Sequence, residues 1–395
     1  MLILISFIYF SYLIIKLYIS YNEIRFVKNA LFLKPQILDE KEYKKAGKYK
    51  IINEKFNTIK TFFDYALFLM WISWGLKFLE KNLIKEDSIL ESVTFLLIFL
   101  FINYLFTIPF DLYSTFKKDI EFTTIDKKTY ILDQVKSLGL TVIFGTVLFF
   151  TIIWIMKNLP SWWIWGFLVM FSITIFINMI YPTIIAPIFN KFTPLEDKEL
   201  NSNIEKLLSR VKLKSDGVFV VDASKRDKRL NAYFGGLGNS KRVVLYDTLL
   251  NTLSVDELLA VLGHELGHFV HKDIVKNIFA SGSILFIMFA IFGNLPDTFF
   301  SSLNLSSSSH MTIVMFFLLS PIILFLWMPI FGAMSRKNEY KADEYGAKSQ
   351  SKEALKSALL KLAKENSSFP LSHHLSIIFY HTHPPLVDRV KRLMQ

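Results

Sequence analysis

Ser254-Val255-Asp256-Glu257-Leu258-Leu259-Ala260-Val261-Leu262-Gly263-His264-Glu265-Leu266-Gly267-His268 is the stretch from which the rest of the chain can be read. Ser254 and Glu257 have capping-box spacing, which predicts a helix beginning at Val255. Leu258, Leu259, Leu262, Leu266 and Phe269 recur at helical intervals and give that helix an apolar stripe. His264 and His268 stand four apart, hence on one face, where both imidazoles reach one ion. Zn²⁺ suits two neutral imidazoles plus a carboxylate. Glu265 is one residue off that face, placed to deprotonate a water at the metal rather than to ligate it. Gly263 and Gly267 each cost a helix about 1 kcal/mol relative to Ala. Small residues there let another backbone approach the metal face. The bland alternative is a buried helix with two hydrogen-bonded histidines; a capped and striped helix carrying all three residues favours the metal.

The chain around this helix is too apolar for a water-soluble globule. Of 395 residues 52% are hydrophobic, with 39 Phe and 7 Trp, and mean hydropathy is +0.37. Seven runs are long and apolar enough to cross a bilayer, at about 2–20, 62–83, 92–111, 138–156, 162–185, 276–294 and 311–333. The first lacks a basic start and a small-residue cleavage site, so it reads as an uncleaved anchor. Trp162, Trp163 and Trp165 open the fifth as an interfacial belt would.

The net charge of +11 follows the topology. Segment 21–60 holds ten Lys/Arg, and 112–137 holds Lys117, Lys118, Lys127, Lys128 and Lys136. The alternate loops hold few: Lys81 and Lys85, then Lys157, and none in 295–310. The positive-inside rule places the N-terminus outside and residues 186–275 and the C-terminus in the cytosol. That pattern explains the basicity without nucleic-acid binding. Cysteine is absent, which excludes disulfides, a thiol nucleophile and Cys-rich zinc sites.

The expected fold is an all-α polytopic membrane protein of about seven transmembrane helices with a small cytosolic α+β zinc-metallopeptidase domain. Residues 1–185 form a membrane half of five spans, 186–275 a catalytic segment ending in the metal helix, 276–333 spans six and seven, and 334–395 a C-terminal catalytic segment. Within 186–275, Leu200–Val211 reads as an amphipathic helix. Gly217–Val221 and Arg242–Tyr246 read as strands, with a glycine-rich turn at Gly235-Gly236-Leu237-Gly238-Asn239 before the second. The metal helix runs almost directly into the sixth span, so the site should lie at the membrane surface, within reach of membrane-bound substrates.

Two histidines and a water leave one protein ligand to find. The candidate is Glu339, in Ser335-Arg336-Lys337-Asn338-Glu339-Tyr340-Lys341-Ala342-Asp343. Asp343, one turn on, could accept the outer N–H of His264 or of His268. The alternative for this stretch is a solvated charged helix following a span. His271 could be taken for a third ligand but reads as interfacial. His373, His374 and His381 read as surface residues, and His310 as an unrelated far-side residue. The run Lys225-Arg226-Asp227-Lys228-Arg229 reads as a solvated loop, with anionic lipid headgroups as an alternative contact.

These motifs together resemble the integral-membrane gluzincin metalloproteases, and in length and span number the type I CAAX prenyl proteases. Supporting segments are Pro109–Phe116, Tyr181-Pro182 through Phe192, Asn231–Gly236, Lys241–Leu250 and His383-Pro384-Pro385-Leu386-Val387-Asp388-Arg389, so that the resemblance runs from about residue 105 to the end. It implies one Zn²⁺ on His264, His268 and Glu339, with Glu265 as general base and then proton donor to the leaving amine. It implies that Asn231 and Ala232 lie on an edge strand that pairs with an extended substrate. It implies that His383 stabilises the oxyanion and Arg389 supports the same region. It also implies a polar chamber within the ring of spans, which Asp64, Asn103 and Asn178 would line. Thr382 stands where eukaryotic members usually have Ser.

The expected activity is therefore that of a membrane-embedded zinc endopeptidase. Its substrate would be a prenylated CAAX C-terminus or a damaged or stalled membrane protein. The Ile-, Lys-, Phe- and Asn-rich composition points to an AT-rich, bacterial genome. That favours broad membrane-protein processing in a bacterial inner membrane; a eukaryotic source would favour CAAX processing at the endoplasmic reticulum. The competing reading is a transporter or scaffold with a structural zinc. A structural site has four protein ligands and no use for a free carboxylate, so Glu265 argues for catalysis.

Overall fold

The computed structural model describes residues 1–213, 215–235 and 242–395. Seven helices are long and apolar enough to cross a membrane: Leu2–Ala30, Glu40–Leu83, Ile89–Lys118, Lys127–Asn158, Trp162–Phe189, Asp273–Gly293 and Ser309–Ser349. They fall where the apolar runs predict spans, but several are longer than those runs. The first continues to Ala30, the second begins at Glu40, and the seventh continues to Ser349. Asp39 accepts a hydrogen bond from the Glu42 amide and so caps the second helix well before its apolar part begins. The seventh span and the Glu339 segment are one unbroken helix, despite Pro321 and Pro329. The expected boundary at 333/334 therefore lies inside a continuous element.

Loops gather at two ends. At one end, Lys157 pairs with Asp87 at 2.9 Å, Ser306 donates to Glu80, and His310, expected to be unrelated to the site, is buried between Ser92 and Ser308. The apolar core of the spans includes Trp71, Ile72, Leu76, Phe95, Leu96, Met311 and Val314, on the second, third and seventh. At the other end, the basic segments after the first and third spans meet each other and the segments 186–275 and 334–395. Tyr49 donates to Asp119 at 2.7 Å, Thr124 to the Ser224 carbonyl, and Lys364 lies 3.6 Å from Glu42. The run at 225–229 is neither a free loop nor shown facing lipid. Arg226 forms a bidentate pair with Asp133 at the start of the fourth span, and Arg229 pairs with Asp227.

A four-stranded sheet sits at this second end. Its strands are β1 (Phe192–Pro194), β2 (Val218–Val221), β3 (Ala232–Gly235) and β4 (Arg242–Tyr246), in the order β1-β2-β4-β3. β2 and β4 are the two strands read from their β-branched runs. β3 pairs only with β4, antiparallel, with Ala232 opposite Leu245, and so leaves one edge open among the described residues. Gly235 ends β3, and the rest of the expected glycine-rich turn lies outside the described residues. A helix at Lys198–Ser209 covers the sheet, burying Leu200, Ile204, Leu207 and Leu208 against Val243 and Leu245. Leu258, Leu262 and Leu266 of the metal helix join the same core. Each such leucine contributes about 1.5–3 kcal/mol, which fixes the roll of the metal helix and hence the direction of its histidines.

Candidate active site

The metal helix spans Val255–Val270 and starts where its capping box predicts. The Ser254 hydroxyl accepts from the Glu257 amide at 3.3 Å, and the Glu257 carboxylate accepts from the Ser254 amide at 2.8 Å. Lys361 and Ser357 hold the Glu257 carboxylate from a neighbouring helix. The helix stops at His271, whose Nδ1 lies 2.8 Å from the Gly267 carbonyl, and that ring is therefore a helix-end contact. Lys272 takes a left-handed backbone (φ 57°), and the sixth span begins at Asp273.

The seventh-span helix crosses the metal helix at very short range. A Cβ on Gly267 would lie 2.9 Å from the Ala342 Cα, and one on Gly346 would lie 2.9 Å from the Ala260 carbonyl and the His264 nitrogen. This is the backbone approach that glycines on the metal face allow, and it carries Glu339 to the histidines.

His264 Nε2 lies 3.4 Å from Glu339 Oε2, and His268 Nε2 lies 3.2 Å from Glu339 Oε1. The ligand atoms of all three lie within 4.8 Å of one another. A tetrahedral ion with bonds of about 2.0–2.1 Å requires ligand atoms about 3.3–3.4 Å apart, so the spacing suits zinc. Glu339 Oε2 is buried without a hydrogen bond, as an oxygen kept for a metal would be. Each imidazole is turned by a carboxylate behind it. Asp343 Oδ1 lies 2.9 Å from His264 Nδ1, an ion-pair contact whose angle falls short of a hydrogen bond, and Asp273 Oδ2 is hydrogen-bonded to His268 Nδ1 at 3.0 Å. Both rings therefore keep Nε2 for the metal. Sequence reading found Asp343 and missed Asp273. Its only signal is an acidic residue just past the end of the helix.

Burial raises the Glu265 pKa above the ordinary carboxylate range, against the opposing effect of the two imidazoles. Among the described residues its carboxylate makes no hydrogen bond or ion pair, which leaves it available to a water. For His264 in the metal-free site, burial acts downward but the carboxylates of Asp343 and Glu339 outweigh it and raise the pKa to about 9.

His383 reaches the cluster from the C-terminal segment, with Nε2 3.3 Å from Glu339 Oε1. Arg389 binds Asp343 with two hydrogen bonds, of 2.8 and 2.6 Å, and lies 3.6 Å from Glu339. Its guanidinium holds the carboxylate that turns His264. Asn231 is exposed just before the open edge of β3, and its side chain accepts from the Ala232 amide. Asn231, Tyr233 and Gly235 line a cavity of about 550 Å³ with Asn178 and Tyr181 of the fifth span and Ile274 and Asn277 of the sixth. Asp64 and Asn103 line a different cavity of about 270 Å³ among the first, second, third and seventh spans, where the Trp71 indole donates to Asn103.

The surface reading of the late histidines holds for His374 alone. His373 and His381 are half-buried, and His381 Nε2 lies 3.2 Å from the Ser372 hydroxyl.

Peptidase family M48 matches residues 194–395, and a family described as the CAAX prenyl protease N-terminal region, five membrane helices, matches residues 32–191. The likeness thus begins well before residue 105. The chain is 32% identical over 391 residues to CAAX prenyl protease 1 of Saccharomyces cerevisiae, covering 90% of this chain and 86% of that protein. It is 28% identical to the uncharacterized metalloprotease YhfN of Bacillus subtilis, covering 86% and 84%. The crystal structure of S. mikatae Ste24p superposes with a TM-score of 0.92 at 29% identity, covering 100% of this chain and 99% of that one. These relationships leave the transporter and scaffold reading without support. The chain belongs to peptidase family M48 and is a membrane-embedded zinc metalloprotease of the CAAX prenyl protease 1 type.

Proposed function

We propose that the chain hydrolyses extended, membrane-tethered polypeptides at the cytosolic face of the membrane. The carrying observation is the geometry of His264, His268 and Glu339, with the unpaired Glu265 beside them. Bound zinc supplies Lewis acidity, which polarises a substrate carbonyl and acidifies water. The chain's own groups do the rest. A substrate strand adds to the open edge of β3, pairing through backbone groups and so accepting varied side chains. Glu265 takes the proton of the attacking water and returns it to the leaving amine. His383 donates a hydrogen bond to the oxyanion of the tetrahedral intermediate. Asp343 and Asp273 keep the imidazoles oriented, with Arg389 fixing Asp343.

The cytosolic assignment is supported by the Lys/Arg-rich segments after the first and third spans, which lie at the same end of the molecule as the sheet and the C-terminal helices. The substrate named by the relatives is a CAAX C-terminus. Backbone pairing suits other membrane-tethered peptides equally. The test is cleavage by purified full-length protein of a farnesylated CAAX peptide, its unprenylated form and an unfolded membrane protein, beside E265Q. Loss of all cleavage in E265Q, with zinc retained, is expected. Full activity in E265Q would remove Glu265 as the base.

A further inference from the structure

We propose that Glu23, buried on the first span, is a positioning residue for His383, acting through Ser372 and His381. The inference rests on His383 serving the oxyanion.

Glu23 is 0% exposed. A carboxylate taken from water that far is costly unless it is bound. Its partners lie about 350 residues later in the chain: Ser372 donates its hydroxyl to Oε1 at 2.6 Å, and the His373 amide donates to Oε2 at 2.8 Å. Lys50 stands 3.5 Å away. With its single proton committed to Glu23, the Ser372 hydroxyl can only accept from His381, whose Nε2 is 3.2 Å away. This places a proton on His381 Nε2. Burial pushes the His381 pKa down to about 4, with the nearby positive charge of Lys50 adding to the effect, so the ring is the neutral tautomer protonated at Nε2.

The backbone of the same residue is held from the other side. Arg336, one turn before Glu339, donates at 2.7 Å to both the Ile377 and His381 carbonyls. These are the free carbonyls at the end of the helix His374–Tyr380. Gly332 makes room for this clamp: a Cβ there would lie 2.7 Å from the Arg336 guanidinium and 3.1 Å from the His381 oxygen. His381 is thus pinned by ring and by carbonyl. Thr382 and His383 follow, and Pro384 restricts the backbone of His383 to extended conformations. The backbone of His383 is thereby restrained, and its exposed ring is met by the Thr382 hydroxyl 3.1 Å from Nδ1 and stands 3.3 Å from Glu339. The first span, which supplies no metal ligand, therefore holds the loop that carries the oxyanion group.

The experiment compares E23Q and S372A, each alone and combined with H383A, in full-length protein with zinc content measured on the same preparations. Displacing a catalytic group by about 1 Å costs up to about 100-fold in rate. The expected result is a kcat lower by roughly 10- to 100-fold in each single variant, with KM and zinc unchanged. Neither change should lower kcat further once His383 is gone. S372A retains the Glu23–His373 contact and removes the hydroxyl that joins Glu23 to His381, so it decides the matter should E23Q not fold. Unaltered kcat in S372A, or a loss that multiplies with that of H383A, would overturn the inference. So would normal kcat in H383A itself, and in that case loss of cleavage in E265Q would leave the hydrolytic reading standing.

Discussion

Replacing Gly346 by Ala adds one methyl group at the crossing of the two ligand-bearing helices. The new Cβ would meet the Ala260 carbonyl and the His264 nitrogen at 2.9 Å and the His264 Cα at 3.1 Å. All three are backbone atoms, so no side chain can swing aside. Ordinary contact at about 3.4 Å or more requires the helices to part by about 0.5 Å. Zinc sites tolerate ligand displacements of about 0.2 Å. Glu339 lies on the same helix two turns away, so most of the shift reaches it. Ala gains about 1 kcal/mol over Gly in helix propensity, while overpacking costs about 1–3 kcal/mol. The fold should survive with a small net loss. The damage should appear at the metal, as a zinc affinity lower by about tenfold or more. The assay is zinc retention against a graded chelator, read beside cleavage and thermal unfolding. G139A is the control, since a Cβ there meets nothing within 4 Å. Wild-type zinc retention in G346A would refute the view that this backbone contact sets the distance between His264 and Glu339.

Two further outcomes are expected. D273A should weaken zinc binding by about 10- to 100-fold, read as faster zinc loss to a chelator, because His268 loses the carboxylate that turns its ring. Zinc binding at pH 7 should release a proton, seen by calorimetry in buffers of different ionisation enthalpy. The His264 pKa is raised to about 9 in the metal-free site, so its ring is protonated at pH 7. The sign for stability follows: this contribution is complete below the ordinary value of 6.5 and is lost as pH rises through about 9.

The metal site was legible because helical periodicity carries its information. His264 and His268, and separately Glu339 and Asp343, are four apart on continuous helices, and the cap at Ser254 fixes the start of the first. The spans were legible from hydropathy, although their polar extensions were not, because those stretches are helical for reasons of capping and docking. Asp273 escaped because the chain reverses at Lys272 and breaks the periodicity between it and His268. Glu23 and His381 escaped because their common partner, Ser372, is joined to them only by tertiary structure. β1 is too short, at three residues, to show a pattern.

The seventh span is also a lever. Its far end is seated where His310 and Met311 are buried, and Glu339 lies thirty residues along, about 45 Å away. A tilt of one degree about that end carries Glu339 by about 0.8 Å. Bilayers vary in thickness, and tilting is how long helices answer them. A metal ligand on such an arm would be lost with each such excursion if the histidines stood on a separate frame. They do not: their helix is seated backbone to backbone on the same arm through Gly267 and Gly346. A tilt of the arm is therefore shared by the histidines and Glu339 and largely cancels between them, while the His383 loop is tied both to this arm through Arg336 and to the first span through Ser372.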